Sequence, residues 1–292
     1  MNIVKALFMG IIQGLTEFLP VSSSGHLALI KQMFKMDTDT GILFDVLLHV
    51  ATLISICGVY FKDVARLFME FIGIAVDVFN NIIIFFKNLS GPKRDSYRPI
   101  ITSSYRKFAV LIIVSTIPTG ILGILLDDIV EAASSNLLVT GICLIGTGLI
   151  LLLGDFLNGG DKKPKTAQMG DAFCIGTAQG IATLPGISRS GTTIVACLLC
   201  GFDRKFAVKY SFIMSIPAIL GALLLELTKV GGESVSGGEV GCYLLGMVVA
   251  GAVGFLALRF VMKVVMSKFF KYFSFYCFGI GLVSIIVYAV VH

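Results

Sequence analysis

Six apolar stretches constrain this chain most strongly, because each has about the twenty residues that an α-helix needs to cross a bilayer. Hydrophobic residues make up 56% of the 292 residues, charged residues only 14%, and mean hydropathy is +0.94. The sequence therefore predicts an all-α polytopic membrane protein with one membrane domain, residues 1–292. The six predicted transmembrane helices cover residues 42–61, 108–126, 136–157, 206–228, 240–262 and 272–291.

The basic residues lie mainly in loops and predict the orientation of the chain. With residues 62–107, 158–209 and 259–271 in the cytoplasm and Arg189 set aside, 18 Lys and Arg lie inside and four outside. The positive-inside rule favours that orientation, with both termini outside. Because the charges follow the loops and form no continuous basic face, we expect no nucleic-acid partner.

Two polar hinges interrupt shorter apolar segments. Residues 4–19 and 26–35 are each too short to cross a bilayer, and a similar broken segment covers 171–200. Shifting the sequence by 166 residues places 13–25 on 179–191 without a gap, with five identical pairs among thirteen. Non-helical backbone at membrane depth persists only where protein or a water-filled cavity surrounds it. We therefore interpret both broken segments as re-entrant helical hairpins.

The two hairpins divide the chain into half-repeats. Residues 1–160 contain a hairpin at about 4–35 and three spans, and residues 161–292 contain a hairpin at about 171–200 and three spans. An odd number of spans turns the second half upside down relative to the first. The sequence therefore predicts an inverted repeat, in which the two hinges meet near the middle of the membrane.

Residues 66–86 form a further apolar helix with a narrow polar stripe. Because the stripe recurs at helical spacing on one face, we prefer an interfacial location to a seventh span. If this helix crosses the membrane, the first half has four spans, and the inverted repeat is no longer predicted. The stripe consists of Arg66, Glu70, Asp77 and Asn81.

The first hinge carries ionisable side chains, which are costly at membrane depth unless they have a partner or a function. Gln13 and Glu17 are four residues apart, so they share a helix face and point toward Ser22, Ser23 and His26. The pattern indicates acid–base or metal chemistry. The alternative is a protonated structural glutamate beside a hydrogen-bonded histidine.

The second hinge has the composition of an oxyanion site. Arg189 offers a planar guanidinium that suits phosphate oxygens. Gly186 permits close approach of backbone N–H groups, and Ser188, Ser190 and Thr193 supply hydroxyl donors. If the repeat is inverted, this hinge should converge with Glu17 and His26.

Other polar residues have two interpretations. Asp45, His49 and Glu226 either line the cavity or pack within and at the ends of helices. Lys209 and Tyr210 either contact an anionic head group or mark the cytoplasmic boundary.

At the two hinges the sequence resembles the bacterial undecaprenyl-diphosphate phosphatases of the bacitracin-resistance type. The similarity rests on Gln13-Gly-Leu-Thr-Glu17, the run from Phe18 to His26, and Pro185-Gly-Ile-Ser-Arg-Ser-Gly-Thr-Thr193. It implies a multi-pass hydrolase of the bacterial plasma membrane that removes the terminal phosphate of undecaprenyl diphosphate. It also implies recycling of the lipid carrier for peptidoglycan synthesis, bacitracin resistance, a Mg²⁺ or Ca²⁺ cofactor, and an active site that opens to the outer face.

The resemblance also implies roles for single residues. Glu17 would bind metal or act as acid–base, His26 would act as acid–base or nucleophile, and Arg189 would neutralise the diphosphate. Position 13 is Gln where many members have Glu, so Gln13 would complete a metal site with only one carboxylate. The remaining hinge residues would bind phosphate, with Ser23 as a candidate nucleophile: Ser22, Ser23, Gly186, Ser188, Ser190 and Thr193.

Two other functions compete with the hydrolase. A transporter or flippase for a lipid phosphate would also use inverted repeats with broken helices. The other class of lipid phosphatases fits poorly, because Val195 and Leu199 stand where its pattern requires His and Asp. The sequence does not determine the oligomeric state, and a homodimer is one of the assemblies compatible with it.

Overall fold

The computed structural model describes residues 2–33, 42–91, 94–229, 237–266 and 269–291, and these ranges are helical without a β-sheet. The all-α prediction is confirmed. The end of the first predicted hairpin, at 34–35, and residues 230–236, between the predicted spans 206–228 and 240–262, lie outside the described residues. The helices are α1 (Ile3–Phe18), α2 (Ser23–Met33), α3 (Ile42–Val59), α4 (Phe61–Ser90), α5 (Ser104–Leu125), α6 (Asp127–Ser134), α7 (Leu137–Phe156), α8 (Met169–Ile181), α9 (Arg189–Leu199), α10 (Arg204–Lys229), α11 (Gly237–Met266) and α12 (Phe270–Val291).

Six of the described helices are long and apolar enough to cross a membrane, namely α4, α5, α7, α10, α11 and α12. Five of them match predicted spans. The sixth predicted span, 42–61, forms the shorter helix α3, whose 18 residues extend about 27 Å at 1.5 Å per residue. In its place the set includes α4, which is 30 residues long and contains the segment 66–86.

The C-terminal half of α4 lies beside an exposed, irregular segment of the chain, residues 94–103. The side chains of Asn81 and Asn88 hydrogen-bond the backbone of Arg98 and Asp95 at 2.7–3.0 Å, so this segment runs back along the helix. Exposed irregular backbone does not occur within the hydrocarbon of a bilayer. The interfacial location of α4 stays a prediction, and this contact supports it although the length of α4 would permit a span.

The polar stripe of α4 is occupied by protein partners. Arg106, at the start of α5, binds the carboxylate of Glu70 at 3.1 Å and also that of Asp77. Nearer the start of α4, Asp63 binds the ammonium group of Lys209 on α10 at 2.8 Å. These ion pairs fix α4 across α5 and α10.

The packing of the two halves has the pattern of a two-fold repeat. Helix α1 packs on α11 and α8 packs on α5, while α3 contacts α10 and α7 contacts α12. Helices α2 and α9 begin at Ser23 and Arg189, 166 residues apart, as the sequence shift predicts. These contacts pair α1 with α8 and α5 with α11, and they leave α4 and α6 without counterparts among the described helices. The inversion across the membrane, the boundary near 160 and the re-entrant placement of the hairpins stay predictions.

Glycines let each hairpin approach its neighbouring helix closely. A Cβ atom on Gly10 of α1 would lie 2.6 Å from the carbonyl oxygen of Gly246 on α11. At the matching position of α8, a Cβ atom on Gly176 would collide with the carbonyl oxygen of Ser115 on α5. Small residues at helix contacts are how membrane helices gain van der Waals packing without a hydrophobic driving force.

We predict that Gly176→Ala destabilises the protein by about 1–3 kcal/mol, the usual cost of overpacking a close contact. Gly221→Ala on α10 is the matched control, because a Cβ atom there meets nothing within 4 Å. The control should be neutral or more stable by about 0.5–1 kcal/mol through helix propensity. Thermal unfolding of the purified proteins in detergent measures both. Equal midpoints for the two variants would contradict the predicted contact.

Candidate active site

The first hinge connects α1 to α2 through Leu19, Pro20, Val21 and Ser22. Pro20 has no N–H to donate, which is consistent with the end of α1 at Phe18. Ser22 adopts a left-handed conformation with φ of +68°, which is rare for a residue other than glycine and reverses the chain. Its hydroxyl accepts a hydrogen bond from the N–H of Gly25 at 3.3 Å and so stabilises the first turn of α2.

The second hinge is held in place by a threonine on α7. Thr147 donates its hydroxyl to the carbonyl oxygen of Gly186 at 2.8 Å and accepts the N–H of Ser188 at 2.9 Å. Gly186 has φ of +96° and lies against α7 where a Cβ atom would collide with Thr140. Sequence reasoning missed Thr147, because a threonine within an apolar helix carries no local signal of its partner.

Ser188 occupies the same position in the second hinge as Ser22 in the first. Its hydroxyl caps α9 by accepting the N–H of Gly191 at 3.1 Å. Both serines are buried, and neither lines the polar cleft described below. Their contacts with phosphate stay predictions. In the structure, their hydroxyl groups stabilise the first turns of α2 and α9.

A carboxylate and a guanidinium join the two hinges. Glu17, in the last turn of α1, accepts a hydrogen bond from Nη2 of Arg189, the first residue of α9. Its other oxygen, Oε2, accepts the hydroxyl of Ser23 at 2.7 Å and Nε2 of Gln13 at 3.1 Å. The Glu17 side chain is only 2% exposed, whereas that of Arg189 is 26% exposed. The arginine can therefore meet a ligand while its carboxylate partner stays buried.

A small polar cleft surrounds this pair. Hydroxyl groups from α9 and α10 form much of its wall, and Thr193 and Ser211 are linked through their oxygens at 2.5 Å. Sequence reasoning predicted Ser190 and Thr193 but missed the serines of α10, because they lie within a predicted span outside either hinge. The lining residues are Glu17, Phe18, Ile56, Arg189, Ser190, Thr193, Ser211, Phe212 and Ser215.

His26 lies one turn into α2, and α12 supplies its partner. Its Nδ1 is 2.8 Å from the carbonyl oxygen of Ser22, which can only accept, so Nδ1 carries a proton. In the neutral ring Nε2 then accepts the hydroxyl of Tyr276 at 2.8 Å. Sequence reasoning did not find Tyr276. The structure brings Glu17 and Arg189 together as expected, while His26 does not line the cleft.

The remaining candidate residues have varied surroundings. His49 lies within electrostatic range of Glu17, and its Nδ1 is 2.9 Å from the carbonyl oxygen of Asp45. Asp45 itself pairs with Lys31. Tyr210 is fully buried and donates to the carbonyl oxygen of Leu111 at 2.9 Å, so its contacts are with the protein core.

Few oxygen atoms near Glu17 are available to bind the expected metal ion. Oε1 of Gln13 is buried and has no hydrogen-bond partner among the residues that the structure describes. An orphaned amide oxygen beside a carboxylate is the kind of oxygen donor that Mg²⁺ and Ca²⁺ accept. No cluster of three or more His, Cys, Asp or Glu is found within the described ranges, so phosphate oxygens and water would have to complete the coordination.

Comparison with known proteins identifies the family of the chain. A family model described as bacitracin resistance protein BacA matches residues 6–283. The chain belongs to this family. Among its relatives, a Treponema denticola protein is 40% identical over 282 residues, covering 97% of this chain and 96% of the relative. A Methanosphaera stadtmanae protein is 36% identical over 286 residues, covering 98% of each. Both relatives are named undecaprenyl-diphosphatase.

Proposed function

We propose that this BacA-family chain is a membrane phosphatase that hydrolyses undecaprenyl diphosphate to undecaprenyl phosphate and inorganic phosphate. The observation that carries the proposal is the contact between Glu17 and Arg189 in a hydroxyl-lined cleft. The names of its full-length relatives support the same reaction.

In this proposal Arg189 binds the diphosphate. The guanidinium is partly exposed in the cleft, and its planar fork matches phosphate oxygens. Phosphoryl transfer needs mainly positioning and stabilisation of negative charge, which a fixed arginine in a cleft supplies. Ser190 and Thr193 line the same wall and add hydroxyl donors for the phosphate oxygens.

Ser23 and Glu17 have the geometry of a nucleophile and its base, since the serine hydroxyl donates to the carboxylate at 2.7 Å. In the proposed first step Glu17 takes the proton, the bond from Ser23 Oγ to the terminal phosphorus forms, and the bond from phosphorus to the bridging oxygen breaks. Undecaprenyl phosphate leaves, and water then releases phosphate from the serine. Direct attack by water with Glu17 as the base is the alternative.

The proposed cofactor is Mg²⁺ or Ca²⁺. Glu17 and the unpartnered oxygen of Gln13 would hold it beside the diphosphate. The bound cation would supply further stabilisation of the developing negative charge. The catalytic role of His26 stays a prediction. Its hydrogen bonds to Ser22 and Tyr276 favour a role in positioning the first hinge.

The proposed location is the bacterial plasma membrane, with the hairpins re-entrant and the cleft open to the outer face. The basic loops support that orientation through the positive-inside rule. Hydrolysis there would return the carrier lipid for peptidoglycan synthesis and would account for bacitracin resistance. A homodimer also stays a prediction.

A lipid-phosphate transporter or flippase is the second candidate function. In each half the first helix of the hairpin packs on a helix of the other repeat position, α1 on α11 and α8 on α5. This arrangement favours a transporter, because transporters also use paired, broken hairpins. Transport does not require a serine that is hydrogen-bonded to a carboxylate, as Ser23 is to Glu17. We therefore prefer the phosphatase.

We predict that purified protein releases phosphate from undecaprenyl diphosphate with Mg²⁺ or Ca²⁺ and stops when EDTA is added. Arg189→Ala and Glu17→Ala should each lower turnover by at least roughly a hundredfold, because each removes an electrostatic catalytic group. Arg259→Ala is the matched control, since that arginine lies on α11 over the ring of Phe255 and should leave turnover unchanged. No release by folded wild-type protein would favour the transporter and call for a lipid-flipping assay in vesicles.

We also predict that Ser23→Ala lowers turnover by at least roughly a hundredfold and abolishes a phosphoserine that acid quenching traps on the wild-type enzyme. Substrate labelled in its terminal phosphate, followed by mass spectrometry of the quenched protein, measures both. The exposed neighbour Ser24 provides the control through Ser24→Ala. Near-normal turnover by Ser23→Ala would exclude the serine as nucleophile and leave attack by water.

A further inference from the structure

A second cavity, of about 450 Å³, lies between α4, α5 and α10. Its walls are apolar apart from one threonine, Thr116, whose hydroxyl is already bonded to the carbonyl oxygen of Ile112 at 2.8 Å. The cavity therefore offers no free hydrogen-bond donor from its lining side chains. We call it the apolar groove; it is lined by Val64, Leu67, Phe68, Phe71, Ile112, Ile113, Thr116, Ile117, Ile213, Ile216, Pro217 and Leu220.

Polar contacts join the three helices that form the apolar groove. Arg106 binds α4 to α5 through Glu70, and Lys209 binds α10 to α4 through Asp63. Tyr210 binds α10 to α5 near the same end. Beyond these contacts the three helices are lined by aliphatic and aromatic side chains with space between them.

The corresponding helices in the other half of the repeat are α3 and α11. There α3 packs directly on α11, and Ser55 donates to the carbonyl oxygen of Gly251 at 2.8 Å. No described helix corresponds to α4 in that half. The additional helix α4 thus builds one wall of the apolar groove.

Helix α10 separates the apolar groove from the polar cleft. Ser211, Phe212 and Ser215 line the cleft, while Ile213 and Ile216 line the groove. Because successive helical residues turn by about 100°, these sets lie on adjacent faces of one helix roughly 10 Å across. A lipid whose head group lies at the cleft therefore has an apolar surface about one helix diameter away.

We propose that the apolar groove binds the isoprenoid chain of the substrate while its diphosphate lies against Arg189. This inference rests on the proposed function and adds to it a site for the chain. The small cleft has no room for a long polyprenyl chain, so the chain must lie outside it. An acyl chain of the bilayer is the competing occupant of the groove.

The test compares kcat/KM for two substrates, undecaprenyl diphosphate and the short farnesyl diphosphate. Ile113→Trp and Ile117→Trp each fill the apolar groove from α5 at partly exposed positions. For undecaprenyl diphosphate, kcat/KM of both variants should fall at least roughly tenfold, equivalent to about 1.4 kcal/mol. For farnesyl diphosphate, kcat/KM should be unchanged. Leu224→Trp is the control on the exposed, groove-free part of α10 and should change neither.

Each other result has a distinct meaning. Equal losses with both substrates, or no loss with either, would overturn the apolar groove as the site of the chain and favour bilayer lipid as its occupant. If the wild-type protein hydrolyses neither substrate, the proposed phosphatase function fails, and the chain site fails with it.

Discussion

The contact between Glu17 and Arg189 is the interaction on which the rest of the site depends. An unpaired charge in a poorly hydrated interior costs several kcal/mol, so each group requires the other or a ligand. The carboxylate comes from the first half of the chain and the guanidinium from the second. The two hairpins must therefore be packed in register before either charge is accommodated. A diphosphate that takes over the arginine would leave Glu17 free to act on Ser23.

The packing that allows this contact follows from small residues and hinge geometry. Gly10 and Gly176 bring the first helix of each hairpin onto its neighbour at a distance that excludes a side chain. Ser22 and Ser188 then cap the second helices, which places Ser23 and Arg189 at matching first positions. The repeat thus supplies one scaffold, and different residues at equivalent positions supply the proposed nucleophile and the cation.

The sequence was sufficient to predict the helical class, both hinges, and the meeting of Glu17 with Arg189. Local polarity within apolar segments carries that information, and the shift of 166 residues aligns the starts of α2 and α9. Thr147, Ser211 and Tyr276 could not be predicted, because each lies on a span whose neighbours depend on tertiary packing.

The additional helix α4 shows a related limit of sequence reasoning. Its polar stripe indicates a boundary location, but that pattern does not reveal that Arg106 would occupy the stripe. Nor does it indicate the apolar groove beneath the helix. Gly186 was predicted to bind substrate, and that role stays a prediction, because its fit against α7 already explains the glycine.

A double-mutant cycle on thermal stability tests the central contact most directly. Glu17→Gln, Arg189→Gln and the double variant are compared with wild-type protein in the same detergent. Each single change leaves one charge without its partner, so the double variant should lose less stability than the sum of the singles by about 1 kcal/mol or more. Additive losses would show that the two hinges do not meet through this pair.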